Sequence, residues 1–247
     1  MSRMNLSYAQ KVCVKATGKA MQQTEMIGPN ARIGVAVSGG MDSWVLLQVL
    51  KIRQAIVPFR FEIMALHVNP GFDPTNHAPL LPWLEKNGVS SHIEVTDHGP
   101  RAHSPENRRN SACFYCAWLR RKRLFELCMQ YKLTHLAFGH NADDLVSTFM
   151  MNLFQNGRVD GMSMNEPFFD GKLNVIRPML MVDKADIRRA VRQWDLPVWT
   201  NPCPSAGATR RSDMTEQLDE LCRGNREMKK NVFNGLRRWQ MGLTVRK

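Results

Sequence analysis

Residues 33–50 read Ile33-Gly34-Val35-Ala36-Val37, then Ser38-Gly39-Gly40-Met41-Asp42-Ser43, then Trp44-Val45-Leu46-Leu47-Gln48-Val49-Leu50. The first five are a short apolar run bounded by a turn, as in a buried strand. The next six form a glycine turn, and the last seven open an amphipathic helix. Such a turn leaves backbone N–H groups unpaired and pointing outward, where they can cradle an anion. Two glycines let the backbone approach a phosphate with no side chain in the way. The segment is not a Walker loop, because the G-x-x-x-x-G-K-[ST] spacing and its lysine are absent.

The same alternation continues outward from this stretch. Strands are predicted at 33–37, 61–68, 92–95 and 135–138, separated by helical patterns at about 42–55, 76–87, 114–131 and 142–156. Apolar runs separated by helices indicate βαβ units and a parallel sheet. A fifth strand is expected at Leu173–Ile176 and a helix at 184–194, with Asp183 as its cap. The expected fold class is α/β: an open, mostly parallel sheet with helices on both faces and helical extensions at both ends. The expected division is an N-terminal helical extension (1–26), an α/β domain (27–200), and a C-terminal cysteine loop with helices (201–247). Residues 97–112 form a long polar stretch without a clear element, and long loops in compact domains are usually functional or disordered.

The chain has 247 residues and a formal net charge of +12, enough length for one sizeable core and enough charge to favour a polyanionic partner. Basic clusters occur at Arg108-Arg109, Arg120-Arg121-Lys122-Arg123, Arg188-Arg189, Arg210-Arg211, Lys229-Lys230 and Arg237-Arg238. Their spread suits a wide RNA footprint better than one small-molecule pocket. No stretch is long and apolar enough to span a bilayer, and the first 21 residues lack a signal-peptide apolar core. The expected location is the cytoplasm, where thiols stay reduced.

Three motifs fall at predicted strand ends, where open parallel sheets bind ligands. They are the loop at 38–43, the segment containing His67 and Asn69, and Gly139-His140-Asn141-Ala142-Asp143-Asp144. Asp143 and Asp144 at a helix start are ordinary caps when seen alone. In a nucleotide site, carboxylates such as these and Asp42 would share Mg²⁺ with phosphate oxygens. Phe149-Met150-Met151-Asn152-Leu153-Phe154 reads as core, not as a soft metal site.

Six cysteines are present. Cys113 and Cys116 open a helix, which brings both thiols to one side of its first turn and favours the thiolate. One C-x-x-C serves zinc and redox sites alike, and a closed zinc site needs four ligands. The other well-placed loop cysteine is Cys203, between Pro202 and Pro204. Cys13, Cys128 and Cys222 sit in helical patterns and read as buried packing residues. Three loop thiolates do not close a zinc site but suit a [4Fe–4S] cluster with one open iron, ordinary clusters having four cysteines.

Taken in order, Ser38–Ser43, the C-x-x-C followed by Leu119-Arg120-Arg121, Gly139-His140-x-x-Asp143-Asp144 with Asn152-Leu153-Phe154, Ile176-Arg177-Pro178 and Pro202-Cys203-Pro204 resemble the tRNA 2-thiocytidine synthetase family. That family is part of the PP-loop ATP pyrophosphatase superfamily, which includes tRNA(Ile)-lysidine synthetase. The resemblance spans roughly 27–240. It implies an enzyme in which ATP adenylates the oxygen at cytosine C2, cluster-borne sulfur replaces it, and AMP leaves. It also implies that Ser38, Gly39, Gly40, Asp42 and Ser43 hold the phosphates and that Asp143 positions Mg²⁺ or phosphate. Cys113, Cys116 and Cys203 would bind the cluster, and Arg177 would lie near nucleotide or tRNA. His67, Gly139 and His140 complete the expected nucleotide site; Asp42, Asp143 and the three cysteines are the expected catalytic set. Expected cofactors are ATP, Mg²⁺ and the [4Fe–4S] cluster. Expected partners are tRNA, a sulfur donor such as a cysteine desulfurase and, as an open alternative, a second copy of the chain.

The sequence departs from the family pattern at Met41, where lysine is usual, and at Ser147-Thr148 in place of Glu-Thr. The loop Cys203-Pro204-Ser205-Ala206-Gly207 also lacks the second cysteine usual near it, and the zinc-finger cysteines of uridine-thiolating relatives are absent. Alternative readings are a PP-loop ligase or thiolase acting on a small molecule, a lysidine-forming enzyme, and a non-enzymatic metal-containing RNA-binding protein.

Overall fold

The computed structural model describes residues 5–207, 210–223 and 225–240, without the side chains of Arg210, Arg211, Arg226 and Gln240. The Arg210-Arg211 cluster therefore lies outside the described side chains. The chain runs α1 (Tyr8–Gln23), β1 (Arg32–Ala36), α2 (Met41–Gln54), β2 (Glu62–Asn69), α3 (Leu80–Asn87), β3 (Ser90–Val95), α4 (His98–Ala102), α5 (Ala112–Gln130) and β4 (His135–Ala137). It continues through α6 (Ala142–Asn156), β5 (Asn165–Phe168), β6 (Leu173–Ile176), α7 (Lys184–Trp194), α8 (Arg210–Leu221) and α9 (Arg226–Gln240).

The six strands form one sheet in the order β3-β2-β1-β4-β6-β5, parallel except for the β5–β6 pair. The chain builds outward from β1 to β3, then returns to β4 on the other side of β1. The switch point therefore falls between β1 and β4, where a parallel sheet opens a ligand crevice at its carboxyl end. Alternation along β2 divides the core in two. Ile63 and Ala65 join the larger cluster with Ile33, Val35, Trp44 and Leu47, whereas Leu66 and Val68 join a second cluster with Leu124, Leu127 and Leu136 beneath α5. Cys13 and Val14 of α1 and Leu218 and Leu236 of α8 and α9 lie in the larger cluster, so the helices at both ends share the core of the α/β domain.

The expected strands and main helices are present within a few residues. Two elements differ from expectation. Part of the 97–112 stretch is the short helix α4, whose Gly99 and Pro100 mask its helical character. The edge strand β5 contains Pro167, which an edge position tolerates because one side of its backbone needs no partner. Met150 is buried as expected, but Leu153 and Phe154 are exposed, so the 149–154 run is core only on one side. Asp183 stands at the N-cap of α7 without accepting a cap hydrogen bond.

Candidate active site

The turn after β1 is held by its own hydroxyls. Ser43 Oγ accepts from the Ser38 amide at 3.1 Å and donates to the Gly40 carbonyl at 2.9 Å. Ser38 Oγ in turn accepts from the Gly40 amide at 3.4 Å. Gly40 is the N-cap of α2 and supplies no side-chain cap, which leaves the first amides of that helix for an anion. Gly39 has φ +91°, and a Cβ there would sit 2.3 Å from the Trp199 ring. Gly139, at the end of β4, crosses α2 so closely that a Cβ would meet the Asp42 carbonyl group at 2.9 Å. Gly139 thus draws the loops after β1 and β4 together, while Gly39 lets Trp199 pack onto the first of them.

Asp42 lies at this crossing. Asn141 Nδ2 donates to its Oδ1 at 3.1 Å, and the Lys184 ammonium pairs with its Oδ2. Asn141 caps α6 by accepting from the Asp143 and Asp144 amides, and Asp144 closes the capping box on the Asn141 amide at 3.0 Å. Asp143 turns toward the C-terminal helices: it accepts from the Lys184 amide at 3.0 Å and pairs with Lys229 of α9 at 2.5 Å. Burial works to raise its pKa, but the Lys229 ammonium and the Lys184 amide outweigh it and hold the carboxyl below its ordinary range. Neither pairing was visible in the sequence, where Lys229 read only as part of a basic cluster, since each lysine reaches its carboxylate across a long chain separation.

A cavity of about 450 Å³ opens at the switch point. Ser38, Asp42 and Ser43 line one end; Gly139, His140 and Asp144 line the β4 side; Leu66, Val68, Leu124, Phe125 and Phe138 form an apolar wall. Arg120, Arg121 and Arg177 add three guanidinium groups, and Glu166 lines the cavity beside Arg177. Arg177 donates to the Ser163 carbonyl at 2.6 Å and to Glu166 at 3.1 Å. Arg120 Nε is buried without a hydrogen-bond partner, and burial pulls the pKa of this guanidinium below its usual value. An unpaired guanidinium facing a cavity calls for an anion. The sequence contains a signal for Arg120: it stands four residues after Cys116 on α5, so one helical face carries both.

His67 is not in this lining. It is fully buried on the opposite side of the sheet, against His77 and Trp199, because Leu66 and Val68 take the cavity-facing positions of β2. Its Nδ1 donates to the Val37 carbonyl at 2.8 Å, which fixes the strand just before the turn. Its Nε2 is buried and unpartnered, and burial lowers the pKa to about 4. The unfolded chain gains this proton near pH 6.5, so the native state is expected to lose stability as pH falls from there towards 4. His98 and His135, also lowered by burial, contribute with the same sign. Urea midpoints at pH 7 and pH 5 check this: the midpoint should fall at pH 5, by less in a His67→Gln variant.

The cysteines divide into two groups. Cys13 and Cys128 are fully buried, and burial pushes their thiols up to about 12. Cys222 is only partly buried, just after α8, contrary to the packing role expected for it. Cys113, Cys116 and Cys203 are partly exposed, and each of the first two feels the charge of Cys203. Cys113 donates to the Ser205 carbonyl at 3.5 Å, which brings the loop carrying Cys203 onto the start of α5. His103 supports this contact: its Nδ1 donates to the Gly99 carbonyl at 2.9 Å, and its Nε2 accepts from the Ser205 hydroxyl at 2.8 Å.

The helix start was expected to lower the thiol pKa values. Instead burial and mutual repulsion raise Cys113 and Cys116, with Arg120 opposing this at Cys116. Such a trio becomes thiolate when a positive centre joins it. A single Zn²⁺, at about 2.3 Å from each sulfur, would draw three thiolates to within about 4 Å of one another. Among the described residues no group of three or more His, Cys, Asp or Glu is closed up around a single ion. Soft thiolates are the ligands that iron–sulfur clusters take, so the chemistry of this donor set suits such a cluster.

One segment joins the cysteines to the glycine turn. Trp199 N donates to the Gly39 carbonyl at 3.0 Å, and its ring packs edge-on against Trp44 and His67. Asn201 Nδ2 reaches the Ser38 carbonyl at 3.5 Å, and its Oδ1 accepts from Asn76. Two residues later comes Cys203. Trp199 and Asn201 were not among the expected site residues.

Fold and site together define a nucleotide-binding α/β protein of the PP-loop class, and the PP-loop domain family matches residues 13–203. The chain is 32% identical over 221 residues to a tRNA-cytidine(32) 2-sulfurtransferase of Citrifermentans bemidjiense, covering 89% of this chain and 87% of that one. It is 31% identical over 234 residues to the protein of the same name from Geobacter sulfurreducens, covering 94% and 90%. The chain belongs to this tRNA-cytidine(32) 2-sulfurtransferase family. Among solved structures, the U34-tRNA thiolase of Methanococcus maripaludis, described with its [4Fe–4S] cluster, superposes with a TM-score of 0.75 at 23% identity, over 95% of this chain and 81% of that one. That likeness confirms the fold. No helix among the described residues is long and apolar enough to cross a membrane.

Proposed function

We propose that this protein is an ATP-dependent tRNA-thiolating enzyme that replaces the oxygen at C2 of a cytosine with sulfur. In the first step the C2 oxygen forms a bond to the α phosphorus of ATP and pyrophosphate leaves. In the second a sulfur nucleophile forms the C–S bond, the C–O bond breaks, and AMP departs with the oxygen. Adenylation turns a poor leaving oxygen into a good one. The observation that carries this reading is the Trp199–Cys203 segment, whose Trp199 and Asn201 donate to the carbonyls of Gly39 and Ser38 and so hold the loop of Cys203 against the glycine turn.

In this account the uncapped amides of α2 and the Ser38 and Ser43 hydroxyls hold the phosphates. Arg120 and Arg121 offset the charge that develops on the α phosphate. Leu124, Phe125 and Phe138 receive the adenine, and Arg177 stabilises the far wall. Asp42, on the cavity wall, would hold Mg²⁺ with phosphate oxygens, displacing Lys184; Asp143 orders the first turns of α6 and α7 behind it. Cys113, Cys116 and Cys203 would hold a [4Fe–4S] cluster, which supplies an open iron position where sulfur is presented. The sulfur comes from a separate donor such as a cysteine desulfurase, and the thiols are kept reduced in the cytoplasm.

Pyrophosphate release tests this reading. It should require both ATP and tRNA, and release that tRNA does not alter would favour a small-molecule substrate. An Arg120→Gln variant should bind ATP more weakly by roughly tenfold, the cost of one charge-assisted hydrogen bond at about 1.5–3 kcal/mol. Isothermal titration of ATP into variant and wild type checks this.

A further inference from the structure

Helix α5 presents two different faces. One carries the thiols and the cavity-lining Arg120 and Leu124. The other carries Phe114, Trp118 and Lys122, spaced four residues apart and therefore aligned. Phe114 is 59% exposed and Trp118 47%, a cost in water that core packing does not explain. Tyr115 and Trp118 stack with their rings nearly parallel, 5.9 Å between centroids and 9° between planes. The Lys122 ammonium sits 6.0 Å from the Trp118 centroid. Between residues 107 and 125 the chain has Arg and Lys but no Asp or Glu. Arg108, Arg109, Arg121 and Lys122 are all exposed there.

We propose that this outer face of α5 is a stacking platform for unpaired bases of the tRNA. The open ring of Phe114 takes a base, the Tyr115–Trp118 stack extends the aromatic surface against which the next base packs, and Arg108, Arg109 and Lys122 pair with the phosphates between them. Aromatic rings interleaved with cations match single-stranded RNA: every base has a face to stack, and every linkage carries a charge. Glu126, the next residue of the same row, is neutralised by Arg123 at 3.1 Å. The face adjoins Cys113 and Cys116 on the same helix, so a loop held there has its neighbouring base at the mouth of the cavity. This assignment rests on the tRNA reading given above and identifies the surface through which that substrate is held.

Fluorescence anisotropy with a labelled tRNA transcript, and with its isolated anticodon stem-loop, tests the proposal on the full chain. Phe114→Ala and Trp118→Ala should each weaken binding about tenfold, within the range for one stacked base. Trp118→Phe should keep most of the affinity. Lys122→Ala should reduce the salt dependence by about one phosphate contact. Melting temperatures should stay close to wild type, since these side chains are exposed. If wild type binds the RNA and the alanine variants bind it equally well, the platform is wrong and the tRNA reading stands. If those variants instead abolish self-association in sedimentation while RNA affinity is unchanged, the face is a protein interface and the proposal falls. If wild type binds no tRNA, both readings fall together.

Discussion

A Cys203→Ser variant is expected to lose tRNA thiolation while keeping its fold and its ATP site. The loop that carries Cys203 rests on Cys113, which donates to the Ser205 carbonyl, and the charge of Cys203 is felt at Cys113 and Cys116. Attachment of that loop to the phosphate turn runs through Trp199 and Asn201, not through the Cys203 sulfur. Replacing the sulfur by a hydroxyl therefore removes one proposed cluster ligand and leaves the turn in place. Loss of a supporting contact to a metal ligand costs about 10–100-fold, so loss of the ligand itself should cost at least about 100-fold in thiolation. Anaerobic reconstitution followed by absorbance and by thiolation assay checks this. Cluster absorbance should fall with activity, while ATP affinity stays near wild type. Unchanged absorbance and activity would remove Cys203 from the site.

Gly39→Ala is expected to be the most damaging single change in the phosphate turn. The new Cβ would stand 2.3 Å from the Trp199 ring, and the residue would have to hold φ +91°. Backbone strain of this kind costs about 1–3 kcal/mol. Displacing Trp199 also loses its edge-on contacts with Trp44 and His67, about 0.5–1.5 kcal/mol for an aromatic pair. A total near 3 kcal/mol follows, together with loss of ATP binding, because Trp199 N no longer fixes the Gly39 carbonyl. The neighbouring Gly40→Ala is the control. Gly40 has φ −73°, and a Cβ there meets only Ser38 Oγ at 3.5 Å. Urea unfolding and nucleotide titration should separate the two variants clearly; equal behaviour would contradict the role given to Trp199.

These two glycines show where the sequence is legible. The pair Gly39-Gly40 after an apolar run announces a phosphate turn, and the strand–helix alternation around it announces the parallel sheet. Which glycine is irreplaceable depends on Trp199, some 160 residues away, and no local pattern encodes that contact. His67 illustrates the same limit. A strand-end histidine suggested the ligand site, but the side of β2 it faces is set by Leu66 and Val68 packing beneath α5. For the carboxylates, helix-capping chemistry identified Asp143 and Asp144. Their different surroundings, Asp144 on the cavity and Asp143 on Lys229, arise from the docking of α9. The cysteines were grouped from their loop settings, and in the structure Cys113 donates to the Ser205 carbonyl of the loop that carries Cys203. Their raised pKa values were not legible, because burial and mutual repulsion depend on how the 199–207 segment folds back. Arg120 was missed as a site residue, although its place one turn after Cys116 on the same helix was the signal that could have found it.

The central claim is that the phosphate turn and the three thiols serve one reaction on tRNA. Its most direct test is mass spectrometry of nucleosides from tRNA incubated anaerobically with the reconstituted protein, ATP, Mg²⁺ and a sulfide source. The account predicts 2-thiocytidine, formed only with ATP and absent with the Cys203→Ser variant. Pyrophosphate release without any thiolated nucleoside would contradict it.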